Sequence, residues 1–422
     1  MKNSSKVVVI VDGYSTGRFL APFLHKRGYT AIHVQSSIGI PNFFTRGFRP
    51  ENYDERTIFD GDLLRLVDWL KAYQVLVVFI GAESGVYLGD KLSATLQLLG
   101  NTPESSELRR NKFLMIKAVN DGGLETAAQF KSNDVDAILK WHSTEMNGLW
   151  PVVIKPINSA GSDSVRFCNN AKELIAATQN ILGKKNKLGI LNTEVLVQSF
   201  LDGEEYVVNT VSCFSKHNLT DIRRCYKKRI SGAGYGSACE ELLSPNEKIS
   251  QELKSYAFRA LDLLKITHGP GHFEIMYTKK GPKIIEVGAR VQGEINPDSN
   301  AACLGYQQID KTIDAYLEPT RFFSYYEKDY TLQKFGLWTF LISEKIGKIT
   351  SIPFIDTVKT LSSFFSLQMN VQPEDYLVRT IDYYSSPGNV HLVNQDNNRL
   401  MEDMAQLRQF ESEGFIIEET LS

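Results

Sequence analysis

Hydrophobic and polar positions along the chain fall into blocks whose period changes several times. Residues 6–12, KVVVIVD, form an apolar run. GYSTG follows, then the amphipathic stretch FLAPFLHKRG and a second run, YTAIHVQ. The helical pattern of DGDLLRLVDWLKAY and the apolar VLVVFIGAES continue the alternation. Strand-like runs separated by helical patterns predict a parallel sheet with helices on its faces, so residues 1–107 read as an α/β domain. SSELRRNKFLMIKAVNDGG then reads as one helix, with Leu108, Phe113, Ile116 and Val119 as its apolar positions. WPVVIKPINSAGSDSV is a strand running into a loop of small residues, and NTEVLVQSFLDGEEYVVNTVSCF is two strand-like runs interrupted by LDG. A helix near 246–265 and a β-hairpin over 271–290 follow. The last region, 321–422, mixes strands (LWTFLIS, NVHLVN) with a charged terminal helix, an α+β pattern. The expectation is a multidomain protein of α/β and α+β class.

A chain of 422 residues exceeds one small core. Its 42% hydrophobic and 23% charged residues are ordinary for a soluble globular protein. A net charge of −2 offers no basic field for nucleic acid or an acidic membrane surface. The first apolar run ends at Asp12, too early for a signal peptide or a membrane span. Five cysteines without a CxxC pair suggest free thiols in a reducing compartment rather than zinc. A cytoplasmic protein without nucleic-acid or membrane partners is expected.

The chemistry concentrates in GHFEIMYTKKGPKIIEVGAR, residues 271–290. With the turn at Lys280–Gly281, Glu274 faces Glu286 or its neighbour. One face then carries His272, Glu274, Glu286 and Gly288, with Arg290 at the strand end. The other carries Phe273, Ile275, Tyr277, Ile285 and Val287, a core face. Opposed side chains lie about 4.5–5.5 Å apart at Cβ, and like charges there are destabilising. A divalent cation removes the conflict, since magnesium prefers oxygen ligands supplemented by substrate phosphates; a solvated pair without a ligand is the plainer alternative. Lys155 ends the apolar strand VVIK, where a phosphate or carboxylate partner explains it better than solvent does. The loop INSAGSDS either folds its amides and hydroxyls over phosphate oxygens or serves as a connector. GYSTG lacks both the third glycine of a dinucleotide loop and the Lys-Ser/Thr of a P-loop, and so reads as a strand-to-helix turn.

In order along the chain, NK (111–112), VVIKP (152–156), NSAGSDSV, VQSFLDGEEYVV (197–208) and HFE…IIEVGAR resemble the ATP-grasp superfamily. The likeness covers residues 1 to about 310, and the last hundred residues resemble more loosely the C-terminal domain of biotin-carboxylase-like members. It implies a central two-subdomain ATP-grasp domain over 108–320, with a mobile lid subdomain at about 125–198, and ATP as cofactor. It also implies that Lys112 and Lys155 hold phosphates beside a loop containing Ser159, Gly161 and Ser162. Gln198, Ser199, Phe200 and Leu201 would clamp adenine, and Glu205 would bind the ribose. Glu274 and Glu286 would hold Mg2+ (or Mn2+), and Arg290 would stabilise the reacting acyl centre. Two positions depart from the pattern: Gly288 stands where an asparagine ligand is frequent, and the phosphate loop has a single glycine.

Residues 81–101 and 281–297 look most like the L-amino-acid ligases. This implies that free amino acids are joined into a dipeptide through an acyl phosphate, giving ADP and phosphate, in an enzyme that is a possible homodimer. Another ligase or carboxylase acting on a different acid/amine pair, or a nucleotide sensor without turnover, are the competing readings. His272 would either handle substrate or be structural. Glu83 and Ser84 would face the site from the first domain, Glu83 as an ammonium ligand or as a helix-start carboxylate. Glu294 would line a side-chain pocket and favour a basic amino acid. RRCYKKRISGAGYGS, 223–237, is either a closing loop, with Lys227 or Arg229 touching an anionic substrate, or a solvated hairpin.

Overall fold

The first apolar runs form the parallel sheet they predict. In a computed structural model, which describes residues 6–41, 45, 47–230, 234–293, 295–381 and 385–418, β1 (Lys6–Val11), β2 (Tyr29–Gln35), β3 (Glu55–Ile58) and β4 (Val75–Ile80) stand in the order β3-β2-β1-β4. Both faces are covered, which is why β1, β2 and β4 read as continuous rather than alternating apolar runs, whereas the edge strand β3, ERTI, alternates half-buried and exposed positions. Val7, Val9 and Val11 pack with Leu66 and Leu70 on one side. Val8 and Ile10 pack with Leu20, Leu24, Ile309 and Ile313 on the other. The helix Gln308–Leu317 thus locks the first domain to the centre of the molecule.

The single helix expected from residue 108 is two helices, Ser106–Arg110 and Lys112–Asp121. Asn111 separates them with extended backbone (φ −91°, ψ 106°), and its side chain accepts from the amides of Phe113 at 3.1 Å and Leu114 at 3.2 Å. It is the N-cap of the second helix, an arrangement that the continuing apolar periodicity concealed.

A four-stranded sheet follows, β5 (Gln129–Ser132), β6 (Val152–Pro156), β7 (Arg166–Cys168) and β8 (Val195–Ser199), in the order β5-β8-β6-β7. β9 (Gly203–Cys213) belongs to another sheet, so the segment after Ser199 crosses between sheets rather than closing a hairpin. β10 (Lys216–Ile230), β11 (Gly234–Leu242), β12 (Gly269–Thr278), β13 (Gly281–Gly288) and β14 (Phe335–Phe340) continue the second sheet. Five short strands complete the chain: β15 (Gly347–Ser351), β16 (Phe364–Met369), β17 (Tyr376–Leu377), β18 (Gly388–Asn394) and β19 (Ile416–Ile417). The large sheet runs β13-β12-β9-β10-β11-β14-β18-β16 and so continues across the expected boundary at 321; β17-β15-β19 form a small one.

In the β12–β13 hairpin Glu274 pairs with Glu286, and Gly281 takes the left-handed φ of +96° that its turn requires. A β-bulge then pairs Ile275 with Ile284. Ile284, not the expected Ile285, therefore joins Phe273, Ile275 and Val287 in the core, and Ile285 lines a cavity. Among the described residues no helix is long and apolar enough to cross a membrane.

Candidate active site

Where the sheets face one another they enclose a cavity of about 900 Å³. Its walls contain Lys112, Lys155, Ser159, Gly161, Ser162, Gln198, Ser199, Phe200, Leu201, Glu205, His272, Glu274, Glu286 and Arg290, with Glu83 and Lys227. Residues spread over more than two hundred positions converge because β6, β8, β9, β12 and β13 all present one face to the same space.

The opposed carboxylates are held unequally. Lys112 starts its helix beside Glu286, with Nζ 2.8 Å from Oε2, and also donates to the Ser159 carbonyl at 2.6 Å. Burial pushes Glu286 up, but Lys112, Lys155 and Arg290 outweigh it and hold this carboxyl below its ordinary range. Burial, then Glu286 and Glu205, push Glu274 up. Lys155 is buried, and desolvation, with Lys112 nearby, lowers it to about 8. Glu286 therefore has a lysine in direct contact, whereas Glu274 is left as the more readily protonated of the two.

Two carboxylates facing each other suit a hard cation. Among the described residues no three His, Cys, Asp or Glu side chains gather into a self-contained metal centre. The pair therefore fits an ion that brings further oxygen ligands with it, as Mg2+ on a polyphosphate does.

The phosphate-loop candidate bends sharply, with left-handed φ at Gly161 (67°), Ser162 (57°) and Ser164 (55°). Two non-glycine residues in that region cost free energy, a burden that functional loops often bear. Asp163 braces the loop, accepting from Ser159 Oγ and from the Lys187 amide, each at 2.7 Å. Phe167 and Phe200 meet edge-on, with ring centroids 5.9 Å apart, at the end of the cavity lined by Gln198–Leu201.

Several side chains lie differently from expectation. Glu83 is a bridge between arginines: it accepts from Arg110, and its Oε2 lies 3.1 Å from Arg290 Nε. Its carboxylate is thus already paired, and it aims Arg290. A Cβ at position 288 would lie 2.8 Å from Glu83 Oε2 and 3.1 Å from Arg290 Cζ. Glycine at 288, the departure from the family pattern, makes room for this pair. Ser84 turns away from the cavity and donates to Asp12 Oδ2 at 2.5 Å. Lys227 stands on the β10–β11 hairpin and also lines the cavity. It sits in β10 facing the cavity, 2.7 Å from Glu205 Oε1, and Glu205 and Cys225 outweigh desolvation to raise its pKa. The Arg229 side chain and Glu294 lie outside the described residues.

His272 is buried, with Nδ1 2.9 Å from Asn209 Oδ1, so Nδ1 carries the proton and Nε2 has a lone pair. Burial, with Arg290 and Arg223 nearby, holds the ring well below its ordinary pKa. Behind it runs a buried network. Asn209 donates to Asp221 at 2.9 Å and to Gln292 at 2.5 Å, and Gln292 donates to Glu240 at 2.8 Å. Sequence reasoning missed this network and Arg110. Arg110 alone carried a signal, its position two residues before Lys112.

The ATP-grasp domain model matches residues 149–298. Dapdiamide A synthase of Enterobacter agglomerans is 31% identical over 416 residues, 97% of each chain. Among solved structures, an L-amino acid ligase from Bacillus licheniformis superposes with a TM-score of 0.78 at 17% identity, covering 98% of this chain and 99% of that one. The biotin carboxylase domain dimer of 2-oxoglutarate carboxylase from Hydrogenobacter thermophilus, solved with MgADP, ADP and bicarbonate, gives 0.66 at 14% identity over 98% and 90%. These two structural likenesses speak for the fold. With the full-length relative and the matched domain, they place the chain: it belongs to the ATP-grasp family.

Proposed function

We propose that this protein is an ATP-dependent carboxylate–amine ligase that joins two L-amino acids into a dipeptide. The single observation that carries the reading is the convergence of Lys112, Lys155, Glu274, Glu286 and Arg290 on one cavity wall. The dipeptide assignment draws on the full-length likeness to the L-amino acid ligase and to dapdiamide A synthase.

In this reading Lys112 and Lys155 orient the ATP phosphates, and the loop around Ser159–Ser162 covers them. Glu274 and Glu286 would hold Mg2+, which would neutralise phosphate charge. A carboxylate oxygen of the donor amino acid attacks the γ-phosphorus, the bond to the β-phosphate bridging oxygen breaks, and ADP leaves. The acceptor's amine then attacks the acyl carbon, and phosphate departs with the C–O bonding pair and takes up the proton that the amine loses. Arg290, steadied by Glu83, donates to the oxygen on which negative charge develops; losing one such donor typically costs roughly 3 kcal/mol of barrier. Neutral His272 offers Nε2 as an acceptor for the amine's N–H, which orients it.

The test is phosphate release from Mg-ATP with each of the twenty amino acids, singly and in pairs, with mass spectrometry of the products. Amino-acid-dependent phosphate together with a new dipeptide mass is the expected result. ATP binding without amino-acid-dependent release overturns the ligase reading, and release with no dipeptide mass overturns the dipeptide assignment.

A further inference from the structure

The cavity has an end that the nucleotide chemistry does not use. Its wall comes from the C-terminal strands, where Phe340 and Gln368 both pair with Asn389 of β18. Residues on one rung share a face, so both point into the cavity they line, two strand spacings apart. Facing them from the first domain is the turn after β1.

Arg18 lies in this turn, in the short 3-10 helix Ser15–Phe19. Its Nη2 donates to Gln368 Oε1 at 3.3 Å, a contact between residues 350 positions apart. The guanidinium is 4.9 Å from the centroid of the Phe19 ring, and a Cβ at Gly47 would lie 2.5 Å from its Nη1. The fork therefore has a built seat. The turn is also tied to the reacting centre, because Thr16 Oγ1 accepts from the Ile295 amide at 3.0 Å, five residues beyond Arg290.

The charge pattern separates Arg18 from three other cations of the cavity. Lys112 has Glu286 at 2.8 Å, Lys227 has Glu205 at 2.7 Å and Arg290 has Glu83 at 3.1 Å. Among the described residues Arg18 has no carboxylate partner; the neutral oxygen of Gln368 is its polar contact.

We propose that Arg18 receives the free carboxylate of the acceptor, so that the second substrate is an amino acid rather than a simple amine. The inference rests on the ligase reading. In that reaction the donor's carboxylate is consumed as acyl phosphate, whereas the acceptor's carboxylate stays ionised throughout. An anion brought into a cavity needs a hydrogen-bonded counter-charge, and a planar guanidinium pairs with a carboxylate through two parallel bonds.

The experiment compares three acceptors of the acyl phosphate in wild type, Arg18→Gln and Arg18→Lys: the best acceptor among the twenty amino acids, its α-amide, and hydroxylamine. Hydroxylamine traps the acyl phosphate as a hydroxamate and carries no carboxylate. In Arg18→Gln, kcat/KM for the amino acid relative to hydroxylamine should fall about 10- to 100-fold, the range for a charge-assisted hydrogen bond. The wild-type preference for the acid over its amide should disappear, and Arg18→Lys should lie between. An equal loss with all three acceptors, or a wild type indifferent to the amide, overturns the inference and leaves the ligase reading standing. A wild type that makes no hydroxamate from any amino acid overturns the ligase reading, and this inference with it.

Discussion

Glu274 on β12 and Glu286 on β13 are direct cross-strand partners, two carboxylates on one rung of a hairpin. Opposed like charges typically cost about 0.2–1 kcal/mol, and of the two carboxylates Lys112 forms its ion pair with Glu286. Glu274→Gln should therefore leave the metal-free protein as stable as wild type, or about 0.2–1 kcal/mol more stable. The same variant should lose at least about 100-fold in kcat and most of the Mg-ATP-induced rise in melting temperature. Thermal unfolding with and without Mg-ATP reads both effects. A destabilised Glu274→Gln protein that keeps its Mg-ATP shift would mean the pair serves the fold and not a cation.

Glu83 serves two arginines at once, and both depend on it for counter-charge. Removing one partner of a buried ion pair typically costs about 3–5 kcal/mol, so Glu83→Ala should be markedly destabilised. Glu83→Gln keeps the shape and one acceptor oxygen, and should fold. Its kcat should fall roughly 10- to 100-fold with little change in KM for ATP, because Arg290 loses its aim while Lys112 and Lys155 do not. Steady-state kinetics on the folded variant check this split; a rise in KM for ATP alone would place Glu83 on the nucleotide side.

How much of this was legible in the chain depends on the range of the interaction. The rung joining Glu274 to Glu286 follows from a period of two and one turn glycine, both local. The bulge that swaps Ile285 for Ile284 in the core is a single extra residue, with no mark in two adjacent, identical isoleucines. Lys227 lies in RRCYKKR, which looks like solvated charge until β9 brings Glu205 alongside. Glu83 was readable as a carboxylate after a strand, but its partners lie 27 and 207 residues away, and nothing local predicts them. Gly288 shows the same limit: a missing ligand in the sequence, it is a space for the Glu83–Arg290 pair in three dimensions.

Asn111 links a helix cap to the site, since the residue after it is Lys112. Asn111→Ala removes the acceptor for the amides of Phe113 and Leu114 and should cost about 1 kcal/mol of stability. It also loosens the first turn of the helix that holds Lys112 against Glu286. KM for ATP should rise several-fold, and Asn111→Asp, which still caps, should restore most of both losses. Chemical denaturation and ATP kinetics on the two variants distinguish capping from a loss of side-chain chemistry.

His33 supplies a pH test away from the reaction. It is buried beside Phe48 and Tyr53, with Nε2 accepting from the Gly13 amide at 3.2 Å. Burial, with Arg56 adding to it, lowers its pKa to about 4 from an ordinary 6.5. Below pH 6.5 the unfolded chain takes up a proton at this ring that the folded protein refuses, so this contribution to stability is complete above pH 6.5 and drains away as pH falls to 4. His33→Asn carries no such proton. The destabilisation it causes should therefore shrink by roughly 2–3 kcal/mol between pH 7 and pH 4. Urea unfolding of both proteins at pH 7, 5.5 and 4 measures the gap. A gap that stays constant would mean that the ring titrates alike in the folded and unfolded states, and that Gly13 does not depend on a neutral histidine.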